Sequence, residues 1–458
     1  MDVVIRKGEV VSSAGSMGIQ DVGIKDGLIA EVGDVPESKE EINAEGMFVF
    51  PGGVDAHVHL SYPGEEDEEF TWVDDFTSGS EAALAGGITT LGNMTFPLPD
   101  ESPIGSIERE VAIAREQSIA DFFLHPVLYE ANEKTLADIP NLLGLGCNSI
   151  KIFMVTPWFD AQAPAYLAAI QMAAEHGMMT VIHCEDHALI EEATAQLVSE
   201  GKTSLRYYAE SRPILSEVVA TQRAISFAEI SDAPIYIVHL SCKEALDACV
   251  EAQARGVQVF VETRPLYLHL TEERFLESDG AKYVGQPPLR RKEDLDALWA
   301  GIEEGTIHTV CTDHAPWTLA AKLAPDHSIT NLRPGVANLQ TMLPMLYSEG
   351  FLSGRISIKR FVEITSTNAA KLFGLYPQKG EIAVGSDADL VIFDPKKKQQ
   401  IENSMLRSNA GYSPFEDWDV TGWPMVTIRR GEVVYKDGEI LGKPGSGQLL
   451  DRGKTIPV

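Results

Sequence analysis

The chain has 458 residues, 44% of them hydrophobic and 23% charged, with 37 basic against 68 acidic side chains and a formal charge of −31. That length calls for one large domain with an appendage or for two to three domains, and so negative a balance would repel a phosphate backbone, which argues against nucleic acid as a partner. No segment offers the roughly 18 consecutive apolar residues of a membrane span, and MDVVIRKGEV lacks a signal peptide's apolar region, so a cytoplasmic location without membrane contact is expected. Five scattered cysteines, Cys147, Cys184, Cys242, Cys249 and Cys311, form no C-x-x-C pair and read as reduced thiols.

The first fifty residues read as strands with tight turns: DVVIRKGEVVS, DVGIKDGLIAEVG and NAEGMFVFPGG, punctuated by Lys-Gly, Asp-Gly and Glu-Gly. From PGGVDAHVHL onward the texture changes to short apolar strands alternating with helical segments. GITTLGNMTF precedes a helix from about Pro103 to Ser118, FFLHPVLY one near Thr135 to Leu145, and NSIKIFMVT one from Pro164 to His176. MTVIHCED then precedes Ala188 to Glu200, PIYIVHLS precedes Lys243 to Arg255, and VQVFVETRP and HTVCTDHAP keep the rhythm. Parallel strands with crossover helices follow from such alternation, and their number favours a (β/α)₈ barrel over an open sheet. SDADLVIFDP and VTIRRGEVVYKDGEI repeat the opening texture at the far end. The expected organisation is an α/β chain: residues 1–50 and 376–458 form a small β-sandwich built from both termini, and residues 51–375 form the barrel.

Polar residues recur near the C-terminal ends of the predicted barrel strands: His57 and His59, Lys151 in NSIKIFM, His183 in TVIHCED, His239 in IVHLS and Asp313 in VCTDHAP. In a barrel these ends converge on one mouth, where the fold builds its active sites. Residues i and i+2 of a strand point to the same face, so His57 and His59 form a chelating pair for one ion. Lys151 lies among Ile150, Ile152 and Phe153, where an unpaired ammonium is expensive to bury. Desolvation lowers a lysine's pKa, and the free amine can take up carbon dioxide to become an anionic carbamate able to bridge two divalent ions. Four histidines, the carbamate and Asp313 would then supply a binuclear site holding a hydroxide nucleophile, with Asp313 as the general acid/base that carries its proton to the leaving nitrogen. His125, His176, His187, His269, His308 and His327 read as ordinary polar groups with partners.

PGGVDAHVHL, NSIKIFM, TVIHCED, IYIVHLSC and TVCTDHAP, in this order, resemble the amidohydrolase superfamily, in particular its cyclic-amide hydrolases: dihydropyrimidinase, hydantoinase, allantoinase and dihydroorotase. The resemblance implies a metal-dependent barrel enzyme, two divalent metal ions with zinc as the usual metal, carbamylated Lys151, a small cyclic-amide substrate and a homodimer or homotetramer. YVGQPPLRRKEDLDALW resembles dihydropyrimidinase and hydantoinase, whereas SRPILSEVVATQRA and RPGVANLQTMLPML look equally like allantoinase. Ser61 stands where dihydroorotases carry an arginine, which ranks that activity low, and retention of all six ligands weighs against a non-catalytic scaffold of the same fold.

Substrate contacts depart from the family pattern. Thr156 replaces the tyrosine whose hydroxyl stabilises the oxyanion, Gln286 replaces the serine before PPLR, and Leu266 replaces the glutamine or histidine of ET-x-P-x-Y. Asn331 in TNLRPG is retained, with Arg333 close by as a surface arginine or a partner for a negatively charged substituent. Trp158 and Phe159 follow the lysine strand and Trp317 the aspartate strand; bordering one pocket, they would form an aromatic wall for a bulky C5 group on a hydantoin, dihydropyrimidine or cyclic imide.

Overall fold

The computed structural model describes residues 1–60 and 71–458, so Ser61 lies outside the described residues. Strands from both ends of the chain join one nine-stranded sheet. Phe48–Pro51 is its hinge: it pairs parallel with Val3–Ser12 and antiparallel with Leu390–Gln400, aligning Pro51 with Leu390. Leu28, at the start of the edge strand Leu28–Gly33, bridges Asp387 just before Leu390–Gln400, so the sheet curls back on itself. Its interior is apolar, with Val10, Val22, Ile24, Val49, Leu390 and Ile428 buried together. The alternating β-branched residues of the two termini are what close this surface.

Gly52 separates that sheet from the first barrel strand, Gly53–Val58, whose six residues are all buried. It heads a parallel arc with Ile88–Thr95 and Asp121–Pro126. A second arc contains Ser149–Phe153, Met179–His183, Ile235–Ile237, Val259–Thr263 and Thr309–Val310, again parallel and in chain order. Single parallel bridges, Val127 to Lys151 and Val58 to His314, join the two arcs at both seams. Such strands, covered by helices outside and side chains inside, read as continuous apolar runs, which is why the alternation was visible in the sequence.

The helices Pro103–Gln117, Glu133–Leu142, Ala163–Glu175, His187–Ser199 and Lys243–Ala254 fall within one to three residues of the expected bounds. Local chemistry sets their starts: Asp186 caps His187–Ser199 by accepting from Leu189 N at 3.0 Å, three residues after His183 ends its strand. Two further long helices, Ile214–Ser231 and Lys292–Glu304, were not among the expected elements. No helix among the described residues is long and apolar enough to cross a membrane.

Candidate metal centre and active site

The C-terminal ends of the barrel strands carry the polar residues that the alternation singled out. His57 and His59 project to the same side, with their Nε2 atoms 3.3 Å apart. Asp313 Oδ1 approaches both, at 2.9 Å from His59 Nε2 and 3.3 Å from His57 Nε2. One ligand atom from each of the three lies within 4.8 Å of the other two. The His239 ring centroid is 5.5 Å from that of His57 and 4.6 Å from that of His183. Asp313 and His239 both adopt left-handed backbone, with φ of 48° and 42°, a conformation uncommon for non-glycine residues and concentrated at functional sites.

Buried carboxylates orient these imidazoles. His57 Nδ1 donates to Glu262 Oε1 at 2.8 Å, which leaves Nε2 facing Asp313 and His59. The same oxygen accepts from the His239 main chain at 2.9 Å, and Glu262 Oε2 accepts from the Tyr236 hydroxyl at 2.9 Å. Asp55 accepts from His57 N at 3.1 Å and from the Thr312 hydroxyl at 2.6 Å, tying the first barrel strand to the segment before Asp313. Glu185 pairs with His183 Nε2 at 2.9 Å and with the Arg212 guanidinium; burial pushes its carboxyl up, but Arg212 and His183 outweigh burial and hold it at about 2.

Electrostatics favour the ligand forms of these groups. Burial lowers His59 to about 4 and depresses His183 and, more strongly, His239, so all three rings are neutral near pH 7. Burial also pushes Asp313 up, but Arg264 together with His57 and His59 holds it well below the usual carboxylate range. Lys151 is fully buried, and desolvation lowers it to about 8 against the opposing pull of Glu262 and Asp313. Its charge in turn bears on His59, His183 and His239. His57, His59, Asp313, His239 and His183 are thus linked side chain to side chain, and Lys151 lies on the strand paired with that of His183.

Three buried polar atoms of the site bear on whether it suits a metal. Among the described residues, Lys151 Nζ, His59 Nδ1 and His239 Nδ1 are buried with no hydrogen-bond partner, although buried polar groups are normally paired. Neutral imidazoles, an ionised carboxylate and an unpartnered amine of lowered pKa form a donor set that suits divalent metal ions.

The chain matches the Amidohydrolase family over residues 48–434. It is 38% identical to a D-phenylhydantoinase of Escherichia coli O1:K1 / APEC, covering 100% of this chain and 99% of that protein. This chain belongs to the amidohydrolase family. Among solved members, a dihydropyrimidinase from Brevibacillus agri NCHU1002 superposes with a TM-score of 0.95 at 34% identity over 100% of both chains. An L-hydantoinase (dihydropyrimidinase) from Arthrobacter aurescens gives 0.88 at 31% identity over 98% of this chain and 99% of that one. The expected family, its hydantoinase and dihydropyrimidinase branch, and the barrel architecture are thus borne out.

Within this amidohydrolase, the residues taken for substrate contacts stand less uniformly. The Thr156 hydroxyl donates to Phe153 O at 3.2 Å, so it is engaged within its own turn. Gln286 borders a cleft with Tyr208, Arg212 and Thr330. Asn331 is exposed, and its side chain closes a local turn by accepting from Ser328 N at 2.6 Å. The aromatic wall needs correction. Phe159 is buried against Tyr166, ring centroids 4.9 Å apart, because it packs between helices. Trp317 donates to Pro334 O at 2.7 Å and lies under the Arg333 guanidinium, which anchors it within its own loop. Trp158 alone of the three borders a cleft of about 820 Å³, which it shares with Tyr129 and Phe96.

Several site residues escaped the sequence reading. Trp72 and Phe96 pack on His59, at 4.8 and 5.8 Å between ring centroids. His314 holds Asp74 Oδ2 at 2.9 Å, while His59 N donates to His314 O at 2.8 Å. Glu262, Arg264 and Glu185 carried the one available signal, a charged residue at the end of a buried strand, the position that singled out the six ligands.

Proposed function

We propose that this chain hydrolyses a ring C–N amide bond in a cyclic ureide of the hydantoin or dihydropyrimidine type that bears a bulky apolar substituent. The observation that carries this reading is the convergence of His57, His59 and Asp313, with the buried Lys151 amine free of hydrogen-bond partners among the described residues. The relatives described above are named hydantoinases and a dihydropyrimidinase, which favours these rings over allantoin.

His57, His59, His183, His239, Asp313 and Lys151 as its carbamate would hold two divalent cations, zinc in this proposal. When bound, such a pair supplies an activated water at neutral pH and polarises the scissile carbonyl. Lys151 suits carbamylation because burial lowers its amine to about 8 and Nζ has no hydrogen-bond partner among the described residues. Asp313 takes a proton from the attacking water and passes it to the ring nitrogen as the C–N bond breaks. The oxygen ends on the carbonyl carbon and the ring opens to a ureido acid. The Thr156 hydroxyl, engaged with Phe153 O, leaves carbonyl polarisation to the cations.

The cleft bordered by Phe96, Tyr129 and Trp158 begins one ring from His59 and is chiefly aromatic on that side. It would receive the substituent, burying apolar surface at roughly 25 cal/mol per Å². Assembly as a homodimer or homotetramer, with residues 51–375 as the catalytic barrel domain, belongs to the same proposal.

The test is a panel of dihydrouracil, hydantoin, 5-phenylhydantoin, allantoin and cyclic imides, both enantiomers where they exist. The expected result is the highest kcat/KM for 5-phenylhydantoin. Equal turnover of hydantoin and its phenyl derivative would remove the substituent pocket, and absence of ureide turnover by the zinc-loaded protein would remove the reaction.

A further inference from the structure

Asp313 is held from two sides. Oδ1 faces the His57 and His59 pair, whereas Oδ2 accepts from Arg264 Nη1 at 2.7 Å. Arg264 follows the strand Val259–Thr263, and its side chain is 0% exposed. Its guanidinium carbon lies 5.5 Å from the Tyr267 ring centroid, and Nη1 is 3.0 Å from where a Cβ on Gly285 would stand. Glycine at 285 thus leaves room for the guanidinium beside Gln286.

This is costly placement for a cation. A buried guanidinium gives up hydration that one carboxylate only partly replaces. Asp313 is its one ion-pair partner among the described residues, and Nε has no hydrogen-bond partner among them. Nη2 reaches the Asp313 main-chain oxygen at 3.4 Å, so both arms of the guanidinium are spent on Asp313. Nothing in the family resemblance assigns the arginine a role.

We propose that Arg264 is a positioning residue for the hydrolysis, its rigid fork fixing the Asp313 carboxylate with Oδ1 toward the histidine pair. The inference rests on the proton-carrying role proposed for Asp313. Arginine suits the task because its planar head stays charged throughout the working pH range and its two arms hold Asp313 at once, Nη1 at Oδ2 and Nη2 at the main-chain oxygen. It keeps its own proton and donates hydrogen bonds only. A shift of about 1 Å in a reacting group is enough to cost about a hundredfold in rate.

The experiment compares wild type, R264Q and R264K, all zinc-loaded, with 5-phenylhydantoin as the probe. For R264Q the expected result is a kcat lower by about 10-fold to 100-fold, KM within about threefold, unchanged zinc content and a larger solvent deuterium isotope effect on kcat, as proton transfer becomes limiting. R264K, which keeps the charge on a less directional head, recovers part of kcat and serves in place of R264Q should that variant not fold. An unchanged kcat overturns the inference, as does a rise in KM alone or a loss of kcat that tracks loss of zinc. Inactive wild type would instead overturn the proposed reaction. The inference is then decided by crystal structures of zinc-loaded wild type and variant: a rotated Asp313 carboxylate supports it, and an unmoved one refutes it.

Discussion

Replacing Glu262 by glutamine removes one charge from beneath the site while conserving shape. Glu262 is wholly buried and accepts three hydrogen bonds, from His57 Nδ1 at 2.8 Å, His239 N at 2.9 Å and the Tyr236 hydroxyl at 2.9 Å. Glutamine can still accept the first two through its carbonyl oxygen. Its amide can donate to Tyr236, whose hydroxyl also lies 2.6 Å from Thr309 Oγ1 and so can turn its proton that way. The fold should therefore survive. What is lost is the carboxylate that fixes the tautomer and orientation of His57 through its Nδ1 hydrogen bond, and such outer partners typically account for about 10-fold to 100-fold in metal affinity, or about 1.4–2.7 kcal/mol. Zinc titration against a buffered chelator, with the thermal midpoint measured in parallel, reads this directly. A folded E262Q protein binding zinc within twofold of wild type would refute the idea that Glu262 tunes His57.

Three further outcomes are expected. Lys151→Ala should lower zinc content from two to at most one per chain and abolish turnover, with short carboxylic acids restoring part of both; unchanged activity would overturn the carbamate assignment. Glu110 is 2% exposed, and burial raises it from 4.5 to about 7 despite Arg109 at 2.7 Å. Because the folded-state value is the higher one, its contribution is complete below pH 4.5 and is lost as the pH rises through 7, an effect of about 3 kcal/mol that E110Q should abolish in urea melts at pH 5 and pH 8. Lys379 Nζ binds Asp121 at 2.6 Å, Asp389 at 2.8 Å and Asp387 at 3.0 Å, joining the barrel to the terminal sheet. Lys379→Met should cost about 3–5 kcal/mol of stability by removing the cation shared by three buried carboxylates and leaving Arg430 to serve Asp121, without altering KM at low temperature; an unchanged denaturation midpoint would argue against that role.

Strand and helix alternation, helix starts such as Asp186 and the paired projection of His57 and His59 were all legible in the primary structure. Each follows from a period of two or 3.6 residues or from a cap contacting its own first turn, and needs no knowledge of distant segments. Lys151, His183, His239 and Asp313 were legible in the same way, as polar residues at the C-terminal ends of short apolar strands. The setting of those ligands was not legible. Glu262 reaches His57 across 205 residues of chain and Arg264 reaches Asp313 across 49, and no local pattern encodes which buried charge meets which. Phe159 looked like a pocket aromatic and proved to be a packing group, whereas Phe96 and Tyr129, unremarked in sequence, border the cleft with Trp158. That Lys151 is buried with no acceptor could be suspected from its apolar neighbours, but it depends on every element that closes around the barrel mouth, and three-dimensional packing settled it.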